Sequence, residues 1–424
     1  MPKTSSRFAW VVLCALGLGA CVDVPVDPRP VAWQPTVGAT RAIVPGPGLP
    51  PEYTSVRDAL GALSNNNLDV VRHAGQVFLA TRLSRDHFAS PDSSIFVFAS
   101  DDEQTWRFEA RFSVGTDVRE PRFLSYRGAL FLFFAKLGTN PIGFEPRGML
   151  VTERLDPARW STPADFYRGG QPYIPWRAKE RSGRALLITY RDGQHIYDFS
   201  GQPMDIELLT SSDGRTFAPL RGDGAPVLTG GGSETDFDFD DHGDLFAVVR
   251  NEAGDASGYG SKICTAAAAD LGTWRCRSDA KKYDSPIVFR HRDRILLIGR
   301  RNVTDTGDYA LHPDAPWSPG ESATNLLDYS NHPKRCALWE VDRATLTVRH
   351  VLDVPGWGDT CFPSLLYPES ESPAGVESPA AQGPRPLILY NYSSPLDDAE
   401  NGERSWSEAQ KGETRIYRTE LLMP

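Results

Sequence analysis

The segment Ser100-Asp101-Asp102-Glu103-Gln104-Thr105-Trp106 recurs as Ser211-Ser212-Asp213-Gly214-Arg215-Thr216-Phe217, both fitting S-x-D-x-x-T-aromatic. Looser copies end at Trp160 (LDPARW), Trp274 (ADLGTW) and Leu346 (VDRATL). Their aspartates, Asp102, Asp156, Asp213, Asp270 and Asp342, stand 54, 57, 57 and 72 residues apart, which is a repeat with one insertion. Self-similarity at such a period marks a chain built from stacked supersecondary units. Each copy follows a β-rich run (IFVFAS, MLVTER, IELLTS, KICTAA, ALWEVD), and further upstream lies another (ALFLFFA, ALLITY, LFAVVR, ILLIGR). The physical reading is a hairpin whose turn is tied by the aspartate accepting backbone N–H groups, with the aromatic packed between neighbouring sheets.

Strands that open a unit fall near residues 70, 120, 174, 235, 285 and 361, which makes six units. A last strand, RIYRTELL at 415–422, aligns with the run before each turn, but the chain ends there, so the final unit lacks its outer strand. Residues 52–64, or the stretch just before them, could supply it and close a ring. The turns resemble the Asp boxes of sialidase-type β-propellers. The expected fold is therefore all-β, a six-bladed propeller over residues 52–424. The 37 glycines and 34 prolines fit turn chemistry repeated blade by blade and exclude a helical bundle. Six blades leave no room for a second domain. The polar stretches 306–333, 369–384 and 395–412 read as surface loops that could serve as a lid.

The first twenty residues read as an export signal, with Lys3 and Arg7 ahead of an apolar run from Phe8 to Leu18 that is too short to span a bilayer. Leu18-Gly19-Ala20-Cys21 resembles the lipobox of bacterial lipoproteins, which implies lipidation of Cys21, residues 21–51 as a Pro-rich tether, and a place at the cell envelope. Four further cysteines in an oxidising compartment are expected as disulfides, Cys264 to Cys276 across one hairpin and Cys336 to Cys361. No Cys-x-x-Cys pair exists, and neither a metal nor a cofactor is expected. The formal charge of −10, or −12 once Lys3 and Arg7 leave with the signal, argues against nucleic acid as a partner. The expected partners are an acidic glycan or glycoconjugate and, through the lipid, a membrane; the chain is expected to be a monomer.

The stretch GGGSETDFDFDDHGDLFAVVRNEAG, Gly230 to Gly254, places Glu234 at the opening of an inner strand and Arg250 at the end of the next. In the following unit DSPIVFRHRDRILLIGRR puts Arg300 where the previous one has Arg250. Two guanidinium groups from adjacent blades would then point at one spot, and converging forks make an anion site. Here the chain resembles the sialidase superfamily over roughly residues 66–422, and more closely a group of sialidase-like bacterial proteins. That resemblance implies an exo-α-sialidase type of hydrolysis on a terminal acidic sugar. Glu234 matches the activating glutamate, Arg250 and Arg300 match two of three carboxylate-binding arginines, and Arg82 and Asp86 match an arginine and the general acid. His87 and Asp92 are neighbours that could take the acid's role. Arg119 and Glu120, Trp176 with Arg177, and the segment with Asp359 and Phe362 are further candidates for substrate contact. Two positions depart from the family: Phe362 stands where relatives carry the nucleophilic Tyr, and Asn65 to Asn67 stand where an Arg is expected. Arg119, Arg177 or Arg82 could complete the anion site, and Tyr390 or Tyr392 could stand in for the phenol. Phe362 favours a rival reading, a propeller that binds glycan or protein without turnover. A third reading uses Asp86, Glu120 or Glu234 as a carboxylate pair. The acidic run Asp236, Asp238, Asp240, Asp241 and Asp244 invites calcium, but it alternates with Phe237 and Phe239 on a strand and lacks a calcium-loop pattern.

Overall fold

The computed structural model describes residues 10–13, 22–25, 33–61, 63–141, 143–166, 172–367, 386–402 and 404–424. Cys21 and most of the export signal lie outside the described residues. Six antiparallel sheets succeed one another along the chain and form a six-bladed β-propeller. The innermost strands are Ser64–His73, Val118–Tyr126, Ile174–Arg181, Thr235–Phe239, Asp284–His291 and Ser364–Leu366, each packed against the innermost strand of a neighbouring blade. Among the described residues no helix is long and apolar enough to cross a membrane.

The ring closes through a strand that the sequence places in the tether. Thr36–Val44 pairs antiparallel with Arg415–Leu422, with Ala42 opposite Tyr417 and Thr40 opposite Thr419, and becomes the outer strand of blade six. The propeller boundary expected at residue 52 is thereby corrected to a position before Thr36. Residues Pro51–Leu60 are a helix instead, which seats the buried Tyr53 on Phe96 and Phe98.

At the rim, three of the five aspartates tie their turns as expected. Asp102 accepts from the amides of Gln104 and Thr105, Asp213 from Arg215 and Thr216, and Asp342 from Ala344 and Thr345, all at 2.7–3.0 Å. Asp270 makes a longer 3.2 Å contact with the Gly272 amide, and Asp156 pairs with Arg159 instead. Trp106, Phe217 and Leu346, each four residues after its aspartate, are buried as the hairpin reading requires. Both disulfides form. Cys264–Cys276 lies between directly opposed strand partners, and Cys336–Cys361 joins the third strand of blade five to the segment entering blade six.

Two devices shape the axis. First, the head of the acidic run and the glutamate before it serve as lateral ties: Glu234, Asp236 and Asp238 accept from the amides of Ser285, Val288 and Arg290 at 2.7, 2.9 and 2.8 Å, stitching blade four to blade five. Phe237 and Phe239, on the opposite face, are core. These carboxylates spread along a seam and do not converge on a point. Second, inner strands of blades one, two, three and five carry a register break near their entrance, between Asn66 and Leu68, Arg119 and Arg122, Pro175 and Arg177, and Asp284 and Ile287. A bulge turns a side chain out of the strand's normal alternation. Pro121 and Pro286 sit inside two of these bulges, where no ladder N–H is needed. Asn67, Glu120 and Ser285, at the same places, have φ of 46°, 57° and 50°.

Candidate functional site

The bulges and the ends of the second strands open onto one cavity of about 290 Å³ near the axis. Arg119, Glu120, Glu234, Arg250, Arg300, His87 and Phe362 line it, together with Asn67, Tyr190, Asp284, Ser285 and Tyr392. Seven residues expected from sequence thus meet in one place, drawn from four blades and from an inter-strand loop of a fifth. Arg119 and Glu120 are neighbours in sequence and would face opposite sides of a regular strand. The bulge, with Glu120 in the left-handed region, lets both reach the cavity.

The arginines are held by buried carboxylates. Arg250 is 3.1 Å from Glu234 and 3.2 Å from Glu252, and its Nε donates to Ser233 Oγ at 3.0 Å. Arg300 donates to the Thr360 carbonyl at 2.7 Å and lies 3.4 Å from both Asp284 Oδ2 and the Tyr392 hydroxyl. Arg119 shares Asp117 with Arg82, at 2.6 and 2.7 Å, so a buried and a half-buried cation rest on one buried anion. That pairing leaves a local positive excess next to the cavity.

The carboxylates differ in state. Glu234 is fixed by Arg250 on one oxygen and by the Ser285 amide on the other; burial raises its pKa and Arg250 opposes the rise. Asp284 would be raised by burial, but Lys282, then Arg300 and Arg250, hold it low, and Tyr329 donates to it at 2.6 Å. Glu120 stands apart. Burial first, and then the charge of Glu234, push its carboxyl to about 7, and its Oε2 is buried with no hydrogen-bond partner. A carboxyl so placed titrates near neutrality and can take a proton from, or give one to, a group in the cavity.

Other expected residues are near the cavity without lining it. The Asp86 carboxylate, matched to the acid, is turned into its own loop, where it accepts from the Phe88 amide at 2.9 Å; the next residue, His87, faces the cavity. Asp92, in the same loop, is exposed and does not line it. Arg82 is fully buried behind that loop and donates to the carbonyls of Asp86 and Phe88 and to Asn66 Oδ1. It shapes the loop and cannot touch a ligand in the cavity. Arg177 is buried deeper on the axis, paired with Asp69 and Asp236. Asp359 lies under the wall, bonded to His87 and to the Tyr392 hydroxyl. Tyr390 points to Glu103, away from the cavity, so of the two replacement phenols only Tyr392 lines it.

Phe362 is floor, not chemistry. It meets Trp176 edge-on at 5.4 Å, and the Arg122 guanidinium is stacked 4.3 Å from Phe362 and 4.7 Å from Trp176. Asn65, Asn66 and Asn67 divide their roles: Asn65 bonds Thr414, Asn66 bonds Arg82 and His87, and Asn67 reaches the cavity.

Asp284 was not among the sequence candidates, although a signal existed. Arg119-Glu120-Pro121 and Asp284-Ser285-Pro286 occupy equivalent bulges, so the residues flanking such a Pro are those aimed inward. Tyr190 and Tyr197, which also line the cavity, offered no comparable mark. The insertion in blade five is docked, not poised as a lid: Trp317 donates to the Ala253 carbonyl, Tyr259 and Ser318 bond each other, and helix Pro319–Ser330 brings Tyr329 to Asp284.

No family model matches the sequence, and no curated protein matches it. Among solved structures the chain is similar to a protein of unknown function from Dyadobacter fermentans, at 15% identity and a TM-score of 0.54, covering 85% of this chain and 95% of that one. It is also similar to Trypanosoma rangeli sialidase, at 12% identity and a TM-score of 0.52, covering 84% of this chain. The same sialidase with 2,3-difluorosialic acid as a covalent intermediate aligns at 12% identity, a TM-score of 0.52 and 84% coverage. This chain spans 55% of the sialidase, or about half. At these identities the likeness is one of fold, and the fold is that of the sialidase-like propellers.

Proposed function

We propose that the protein is a glycoside hydrolase acting on a terminal, carboxylate-bearing sugar. The observation that carries this reading is the convergence of Arg119, Arg250 and Arg300 on the cavity that also holds Glu120. Three largely buried guanidinium groups suit a carboxylate, because charge-assisted bonds gain most where the partners are already partly desolvated. The cavity volume sits at the low end for ligand sites, which fits one terminal sugar better than a chain. The trypanosomal sialidase of the same fold has been captured with sialic acid, in line with an acidic sugar as the ligand class.

In this reading the arginines hold the carboxylate and Phe362 supplies an apolar floor. Glu120 removes a proton from the water that attacks the anomeric carbon. Phe362 has no oxygen with which to form a covalent intermediate, and the Tyr392 hydroxyl is committed to Asp359. Attack by water inverts the anomeric centre. The test is to incubate the full chain with a panel of acidic-sugar glycosides and follow the first-formed anomer by proton NMR. Release of the inverted anomer, lost in Arg250→Ala and in Glu120→Gln, is expected; no release above the Arg250→Ala control overturns the reading. Phe362 supports one alternative, a glycan receptor without turnover. It predicts array binding that Arg250→Ala and Arg300→Ala abolish while wild type releases nothing. The envelope location through lipidated Cys21 is part of the proposal and is tested by mass spectrometry of the mature N-terminus.

A further inference from the structure

The hydrolase reading leaves open which group protonates the departing oxygen. Asp86, the residue matched to that role, has its carboxylate bonded to the Phe88 amide in its own loop. One residue on, His87 projects into the cavity with its side chain 41% exposed, while its Nδ1 is 2.7 Å from Oδ2 of the buried Asp359. The other oxygen of Asp359 accepts from the Tyr392 hydroxyl at 2.9 Å, and the Asp359 amide meets Ser394 Oγ at 3.0 Å. The carboxylate is therefore fixed on both sides. Its acidity fits that role: burial would raise it, yet the charge of His87, with Arg300 and the Tyr392 bond, keeps it low.

The ring's proton position is set by a competition. Nδ1 is also 3.0 Å from the Asn66 amide nitrogen, whose own oxygen accepts from Arg82 and so fixes that nitrogen as a donor. Nδ1 cannot accept from Asn66 while donating to Asp359. The shorter, charged contact prevails, because a bond to a buried carboxylate is the stronger of the two. Nδ1 then keeps its proton, and Nε2 is the nitrogen that exchanges one with the cavity. Arg82 holds the loop in that pose through the Asp86 and Phe88 carbonyls on either side of His87.

We propose that His87, oriented by Asp359, is the proton donor to the leaving group; this rests on the hydrolase reading above. The imidazolium Nε2–H gives its proton to the bridging oxygen as the bond from that oxygen to the anomeric carbon breaks. The water oxygen bonds to the anomeric carbon and passes one proton to Glu120. The products are the free sugar and an alcohol, with one water consumed, and the proton on Glu120 returns through solvent to His87. Asp359 acts through His87 and is a positioning residue; Tyr392 and Arg82 support the pair.

The test compares two classes of substrate on the full chain: glycosides with an alkyl aglycone, which must be protonated to leave, and glycosides of dinitrophenol, which leaves as the anion. His87→Ala is expected to slow the alkyl substrates 10²- to 10⁴-fold, the usual contribution of a general acid, and the dinitrophenyl substrate less than 10-fold. Asp359→Asn is expected to show the same split with a smaller loss. Equal losses on both classes overturn the assignment while leaving the hydrolase reading intact. No release by wild type from either class overturns the hydrolase reading and the assignment with it. Nitrogen-15 spectra of the imidazole give a readout apart from turnover: a downfield Nδ1–H in wild type that disappears in Asp359→Asn is expected, and an Nε2–H tautomer in both would overturn the pairing.

Discussion

Glu120 concentrates the chemistry of the site in one side chain. It is buried, its Oε2 has no partner, its backbone is left-handed, and its carboxyl is pushed up to about 7, first by burial and then by Glu234. Below about pH 4.5 folded and unfolded chains both hold that proton, and between there and about 7 only the folded chain does. Stability therefore falls as pH rises through that window, and above it the buried charge costs about 3 kcal/mol. Glu120→Gln is expected to remove this slope and to be more stable than wild type at pH 8, by up to about 3 kcal/mol, in urea melts compared at pH 5 and pH 8. An unchanged slope would show that the carboxyl is not displaced as argued. On the proposed route the Glu120→Gln variant should lose at least about 100-fold in activity, and the rising limb of the wild-type pH profile, which the unprotonated base sets near 7, should disappear with it. Sequence alone offered Glu120 as a possible substrate contact or as one of a carboxylate pair, but not its unusual acidity, which comes from burial and then from Glu234, two blades and 114 positions away.

At the scale of elements, loops are held to strands by single buried anions. Asp117 carries both Arg82 and Arg119 with no exposure of its own side chain, and Arg82 in turn shapes the loop that presents His87. Asp117→Asn strands the buried Arg82 and the half-buried Arg119. It is expected to cost about 3–5 kcal/mol in denaturant unfolding and to weaken ligand binding by loosening Arg119; a loss under about 1 kcal/mol would mean that water already compensates the pair. The Cys336–Cys361 bond closes a loop of 25 residues and anchors the segment that carries Asp359 and Phe362. Its replacement by paired Ser is expected to cost about 3 kcal/mol in the chain-entropy picture. On the proposed function the larger change should be in affinity for an acidic sugar, read by calorimetry, because the segment borders the cavity. The elements themselves were readable from turn chemistry and β-rich runs. The bulges were not, since a register break is a relation between two strands and leaves only an indirect trace, as in Glu120-Pro121 and Ser285-Pro286.

For the whole molecule, closure decides stability. Without Thr36–Val44 the strand Arg415–Leu422 becomes an open edge, and Ile43 and Val44 leave the core. A chain starting at residue 52 is expected to melt well below one starting at 33 and to aggregate, as uncovered edges do, by light scattering on heating. Equal melting temperatures would show that the ring holds without its last strand. The 54- and 57-residue steps determined the blade count and fold, because each turn motif is local: an aspartate reaches amides two and three residues on, wherever the chain runs. The Cys264–Cys276 pairing and the meeting of Arg250 with Arg300 followed from the same repeat frame. Which end-strand closes the ring, why His87 and not Asp86 faces the cavity, and why Arg82 and Arg177 are spent inside the protein were decided by tertiary structure alone. Those outcomes turn on which buried charge finds a partner across blades, and burial and distance exist only once the ring has closed.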